Sequence, residues 1–252
     1  MKILLHLSFL GTNYCGYQIQ PNGITIQQCL NEAARSLFGY ECDIVGCSRT
    51  DSGVHANQFC VAVSEKGTGQ IQTTIPPERM PQAIAPYLPS DISVMRAEWV
   101  ANSFHPRYDV KYKEYVYQIW NAPYRNPFLQ DRAWHYPKPI SDDAIAQMNL
   151  AAMHWKGTHD FSSYMAADSK ITDAVRTIYD AEVVRRGDLI EFRVSANGFL
   201  YHMVRILMGT LIGVSEGKIS PEDIDGITAA KDRTCAGITA PACGLFLNRV
   251  VY

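Results

Sequence analysis

Hydrophobic periodicity constrains this chain more than any other feature: the apolar pattern switches between a period of two and a period of about 3.6, in the same order twice. Residues 2–9 read as a strand. ITIQQCLNEAARSLFG (24–39) has apolar side chains at 26, 30, 33, 34 and 37, the spacing of one helix face, and Gly39 ends it. Runs 42–47 and 58–63 are β-rich and are joined by a loop containing Asp51, Ser52 and Gly53. PPERMPQAIAPYL (76–88) opens with prolines suited to a helix start, and 92–100 is again strand-like. The order is β-α-β-β-α-β.

The second half repeats that order without repeating the sequence. KYKEYVYQIW (111–120) is a strand, and SDDAIAQMNLAAMH (141–154) is a helix capped by Ser141 with acids in its first turn. TIYDAEVVRRGDLIEFRVSA is a hairpin turning at Gly187-Asp188. FLYHMVRILMGTLIGV (199–214) is a long helix, SPEDIDGITAA (220–230) a short one, and GLFLNRVVY a terminal strand. This predicts an α+β fold of two ferredoxin-like (βαββαβ) halves, residues 1–105 and 106–252. They would form one broad mixed or antiparallel sheet, with helices on one side and a central cleft for a large substrate. Such halves resemble RNA-binding modules, an analogy that by itself assigns no function.

With 252 residues at 47% hydrophobic composition, the chain can bury a sizeable core. Its seven cysteines include no Cys-x-x-Cys pair, which implies reduced thiols and a cytoplasmic location. MKILLHLSFL runs into polar residues without a small-residue cleavage site, and no run approaches the roughly 20 apolar residues of a membrane helix. The net charge of -2 does not announce a nucleic-acid partner, so any RNA site must be locally basic. Arg107, Lys111, Lys113 and Arg125 form one candidate cluster, and Arg176, Arg185, Arg186, Arg193 and Arg205 another. On charge alone, a solvated face is the simpler account of both.

SRTDSGVHA (48–56) brings an arginine, a carboxylate, a glycine and a histidine together between two strands. A turn explains Asp51 to Gly53 but not Arg49 and His55, so a turn and a site both remain open for this stretch. The 199–214 helix is apolar nearly all round and should be buried, where a guanidinium is costly unless paired. Arg205 therefore implies an incoming carboxylate, with Gly209 leaving space beside it and Tyr201 and His202 as neighbours. On the strand 111–120, Lys113, Tyr115 and Tyr117 share a face, followed by Ile119. Lys113 predicts that this end of the stripe reaches solvent. Tyr115 is accordingly assigned to a site, stacking on a base, and Tyr117 to the core.

Seven segments in order, FLGTNYCGYQIQPNGITIQ, SRTDSGVHA, KYKEYVYQI, GTHDFSSY, AVRTI, NGFLYHMVRILMGTLIGV and APACGLFLNRVVY, resemble the tRNA pseudouridine synthase A family over nearly the full length. The resemblance implies a homodimeric isomerase that converts uridine to pseudouridine at positions 38, 39 and 40 of the tRNA anticodon stem-loop. It makes Asp51 the nucleophile, Tyr115 the active-site tyrosine and Arg205 the carboxylate-pairing arginine. Arg49 matches an arginine implicated in flipping the target nucleotide, and Leu245 an apolar wall. The candidate substrate-binding set is thus Tyr115, Arg49, His202 and Leu245. Cys47-Ser48 stands where the family often has Ala-Gly, and Ser215 where glycine is common. These departures leave open a paralogue with other target uridines.

The isomerisation breaks the C1′–N1 bond, turns the bound uracil and joins C5 to C1′, with no redox change, so no cofactor is expected. The carboxylate can attack C1′ or remove the 2′ proton. Arg205 would keep it charged, Tyr115 would hold the uracil, and Arg49 would fill the gap left by the flipped nucleotide. Two rival readings are a metallohydrolase, prompted by His159-Asp160 and by Asp51 with His55, and a non-catalytic RNA-binding module. The remaining histidines, 6, 105, 135, 154 and 202, form no metal-ligand spacing.

Overall fold

Thr25 and Gly39 fix the first helix for the reasons their residue types suggest. In the computed structural model, which describes all of residues 1–252, the Thr25 hydroxyl accepts the Gln28 N–H at 3.3 Å. Gly39 takes the left-handed conformation (φ 78°) and closes the last turn onto Arg35. The chain divides into two compact units. One comprises Met1–Lys111 with Leu247–Tyr252, the other Tyr112–Phe246.

The first unit runs β1 (Lys2–Phe9), α1 (Ile26–Phe38), β2 (Cys42–Gly46), β3 (His55–Glu65), α2 (Met80–Ile84) and β4 (Ile92–Val100). β1 lies between β3 and β4, antiparallel to both, and β2 pairs antiparallel with the second half of β3. α1 buries Ile26, Cys29, Leu30, Ala33 and Ala34. The helix expected over 76–88 is instead a 3-10 turn, five α-helical residues and a second 3-10 turn. Proline explains the break: Pro86 has no N–H to give Gln82, so the α ladder cannot pass it. β3 is longer than the 58–63 run, beginning at His55.

The second unit runs β5 (Tyr112–Trp120), β6 (Trp134–His135), α3 (Asp142–Met153), β7 (Gly157–Asp160), β8 (Val175–Arg186), β9 (Leu189–Ala196), α4 (Met203–Ser215) and α5 (Asp223–Ala230). Strands β5-β9-β8-β7 are antiparallel neighbours, and β6 adds a parallel pair with β5. Ser141 caps α3 through Ala144 N–H, and the β8–β9 hairpin turns at Gly187-Asp188. β10 (Leu245–Val251) is divided, with Leu245 and Phe246 in the second unit and the rest in the first. Ten strands of mixed pairing and five α-helices make this an α+β fold.

α4 starts four residues later than the apolar pattern suggested. Tyr201 and His202 form a turn, closed by Met203 N–H onto Leu200 O at 3.1 Å, and His202 precedes the helix in the left-handed region at φ 60°. Inside the helix, Met203, Val204, Ile206, Leu207, Met208, Leu211, Ile212 and Val214 are buried, as its all-round apolarity requires.

Candidate active site

The Asp51 loop is built from backbone pressed against backbone. Val54 N–H closes a turn onto Asp51 O at 3.2 Å, and Gly53 sits at φ 77°, so a true turn explains Ser52-Gly53. The connection between β1 and α1 lies against this turn. Tyr17 N–H donates to Thr50 O (3.1 Å) and Ser52 Oγ donates to Tyr14 O (3.1 Å). A Cβ on Gly11 would stand 2.0 Å from Val54 O, and one on Gly16, itself at φ 81°, 2.5 Å from Thr50 O. Only glycine allows that approach. Asp51 is half-buried and Arg49 exposed, both on this loop. Sequence reading passed over Gly11 and Gly16, although two glycines between a strand and a helix are the available signal.

His55 and Cys47 close the loop from beneath. His55 is wholly buried and its Nδ1 accepts Gly11 N–H at 2.9 Å. Cys47 is wholly buried, and its Sγ accepts Cys60 N–H at 3.3 Å. The thiol thus takes a core position, and none of the seven cysteines forms a disulfide.

The second unit holds Tyr115, His202, Arg205 and Leu245. On β5, Lys113, Tyr115, Tyr117 and Ile119 are all buried, at 8%, 6%, 0% and 0% exposure. This corrects the expectation that Lys113 leads the stripe into solvent: it is buried along with the tyrosines. The Tyr115 ring packs edge-on against Phe199 at 4.9 Å. Tyr117 takes the core role expected of it, its hydroxyl donating to Pro241 O at 2.6 Å. Burial pushes that hydroxyl's pKa up, with the positive charge of Arg205 pulling the other way. Leu245 is buried at the start of β10.

Arg205 departs from the sequence expectation in two ways. It is half-buried, and the room at Gly209 belongs to backbone: a Cβ there would stand 1.8 Å from Ile238 O. The loop 236–240 fills that space, Gly237 N–H donating to Thr210 Oγ1. Arg205 also anchors the loop, its Nε donating to Ala240 O (2.8 Å) while Ala240 N–H returns to Arg205 O (3.1 Å). His202, three residues before it, lays its ring against Tyr201 at 3.9 Å. A non-glycine residue held at positive φ stores strain, which is commonest where a side chain must be aimed.

The residues behind the metal reading serve local structure. His159 Nε2 bonds the Lys156 carbonyl, Asp160 accepts from the Ser162 amide and hydroxyl and pairs with Lys231 (2.8 Å), and His55 accepts Gly11 N–H through Nδ1. No group of three or more His, Cys, Asp or Glu side chains is arranged to hold a metal ion. Several candidate basic residues are likewise engaged: Arg193 with Glu191 (2.7 Å), Arg185 with Asp142 (3.3 Å) and Arg176 with the Val175 carbonyl (2.6 Å). Arg107, Lys111, Arg125 and Arg186 remain exposed. No helix is long and apolar enough to cross a membrane.

Comparison with known proteins agrees with these motifs. A family model described as tRNA pseudouridine synthase matches residues 7–109 and 151–252. The tRNA pseudouridine synthase A of Thermoanaerobacter sp. (strain X514) is 41% identical over 251 residues, covering 100% of this chain and 99% of that protein. Those of Ruminiclostridium cellulolyticum and Bacillus pumilus are each 41% identical as well, again over 100% of this chain and 99% of theirs. Matched by the family model over most of its residues and by such relatives from end to end, the chain belongs to the tRNA pseudouridine synthase family.

Proposed function

We propose that this protein isomerises uridine to pseudouridine at positions 38, 39 and 40 of the tRNA anticodon stem-loop, with Asp51 as the catalytic carboxylate. The full-length similarity to tRNA pseudouridine synthase A proteins carries the reading. The Asp51 turn, braced by the glycine contacts around it, supports the choice of carboxylate, since a group that acts on a sugar needs a fixed backbone. Arg205 supplies the cation that pairs with the carboxylate. Tyr115 supplies the ring that holds the uracil, with His202 and Leu245 as further substrate contacts, and Arg49 enters the space left by the flipped nucleotide. Two routes use these groups. In one, the carboxylate oxygen bonds to C1′ as the C1′–N1 bond breaks, uracil leaves with the bonding pair, turns, and C5 displaces the carboxylate before losing its proton. In the other, the carboxylate takes the 2′ proton as N1 departs with the bonding pair, and returns it when C5 joins C1′; in both routes C5 then gives up its proton to water and N1 takes one. Either is neutral in electrons and atoms. The protein works as a homodimer in the cytoplasm, on the anticodon arm of tRNA.

The test is to map pseudouridine in unmodified tRNA transcripts incubated with the pure protein. Conversion confined to positions 38, 39 and 40 is expected. Pseudouridine only at other uridines points to a paralogue, and binding without any conversion to an RNA-binding module.

A further inference from the structure

His55 is a wholly buried polar ring at the start of β3, a strand whose Ala56, Phe59, Val61 and Val63 are buried as well. A buried imidazole is costly unless its nitrogens are satisfied, and an aliphatic side chain would fill the same space without that cost. One bond is specific. Gly11 N–H is only a donor, so Nδ1, 2.9 Å away, must be the unprotonated nitrogen, and the neutral ring then carries its proton on Nε2. The two residues are 44 apart in sequence and belong to the two segments that meet around Asp51.

Four further contacts join the same segments: Tyr17 to Thr50, Ser52 to Tyr14, and the two approaches that glycine permits at 11 and 16. They lie on both sides of Asp51. The bond from Gly11 is the one at the end where the loop enters β3, four residues after the carboxylate.

We propose that His55 is a positioning residue for Asp51: as the Nε2–H tautomer it holds the Gly11 amide through Nδ1 and so fixes the turn that carries the carboxylate. This rests on Asp51 being the catalytic carboxylate. His55 touches no reacting atom in this account. It acts through the backbone of residues 51–55, so its loss falls on turnover more than on tRNA binding.

The experiment has two arms. In the wild-type chain, nitrogen-15 spectra of labelled histidine report the tautomer. The Nε2–H form with an accepting Nδ1 is expected, and an Nδ1–H form overturns the proposal whatever the activity of the protein. The second arm compares His55→Asn with His55→Gln by tritium release from C5-labelled uridine in tRNA. The asparagine oxygen occupies the place of Nδ1 and keeps an acceptor for Gly11, whereas the glutamine polar atoms lie farther out, near the place of Nε2. His55→Gln should lower kcat by about tenfold or more with KM for tRNA within about twofold, and His55→Asn should restore kcat to within about threefold of wild type. Equal losses in the two variants, or wild-type kcat in His55→Gln, overturn the proposal. A wild-type protein that releases no tritium contradicts instead the reading of Asp51, and the tautomer arm still decides the bond. If neither variant folds, the same arm decides.

Discussion

Gly16 holds a backbone conformation that any side chain would strain, and it does so against the carbonyl just ahead of Asp51. Gly16→Ala should lower stability by roughly 1–3 kcal/mol and reduce turnover further, because the Cβ displaces Thr50. Urea unfolding checks this, and an unchanged midpoint with wild-type turnover contradicts it. At this scale the sequence was legible where neighbours in the chain stay neighbours in the fold. Arg49 and Asp51 fall together on one loop, with His55 at its end. It was not legible where a side chain's surroundings come from distant backbone. Lys113 looks like a solvent-facing end of a stripe until β9 and the interior enclose it. Gly209 looks like room for a ligand until the 236–240 loop fills it.

α4 and the segments tied to its two ends give two expectations at the level of the element. Near its start, Arg205 anchors the Ala240 carbonyl through Nε. Arg205→Met should therefore cost about 1 kcal/mol through that hydrogen bond, while the Ala240 N–H bond to the helix backbone remains. Turnover should fall by about a hundredfold or more, since the proposed carboxylate loses its cation. Thermal melts and single-turnover assays on one preparation separate the two effects. Unfolding of the variant, or wild-type turnover, contradicts the assignment. At the other end, Glu216 accepts from Tyr136 (2.7 Å), Lys138 (3.1 Å) and Lys218 (2.6 Å). Lys218 foremost, then Tyr136 and Lys138, hold its carboxyl down to about 2 from an ordinary 4.5. A carboxylate depressed in the fold stabilises it above the unfolded value and loses that contribution as pH falls. The wild-type melting temperature should accordingly drop more steeply than that of Glu216→Gln between pH 4.5 and about 2. Parallel curves count against the three-way contact. Periodicity and caps located most elements because those signals are local. The 76–88 helix failed for a reason also present locally, Pro86, whereas the late start of α4 depends on the turn that places His202 at positive φ.

For the molecule as a whole, the order of elements was readable in the first half, whereas in the second the strands β6 and β7 are too short to show a two-residue period. The composition of compact units was not readable, because nothing local to Leu245–Val251 says that its last residues join the first unit and its first two the second. Net charge was equally silent: a chain at -2 gives no sign of an RNA partner, and the family emerged from separated motifs that only a full-length comparison ties together. The most direct measurement is tritium release from C5-labelled uridine in tRNA, run side by side on wild-type protein and Asp51→Asn, with tRNA affinity measured on both. Asp51→Asn leaves the basic side chains that would meet phosphates unchanged, so the affinities should agree within about threefold. Tritium should appear with wild-type protein and stay at the level of the enzyme-free control with Asp51→Asn. Release by the Asp51→Asn protein at a measurable fraction of the wild-type rate, or no release by wild-type protein that binds tRNA, would contradict the account.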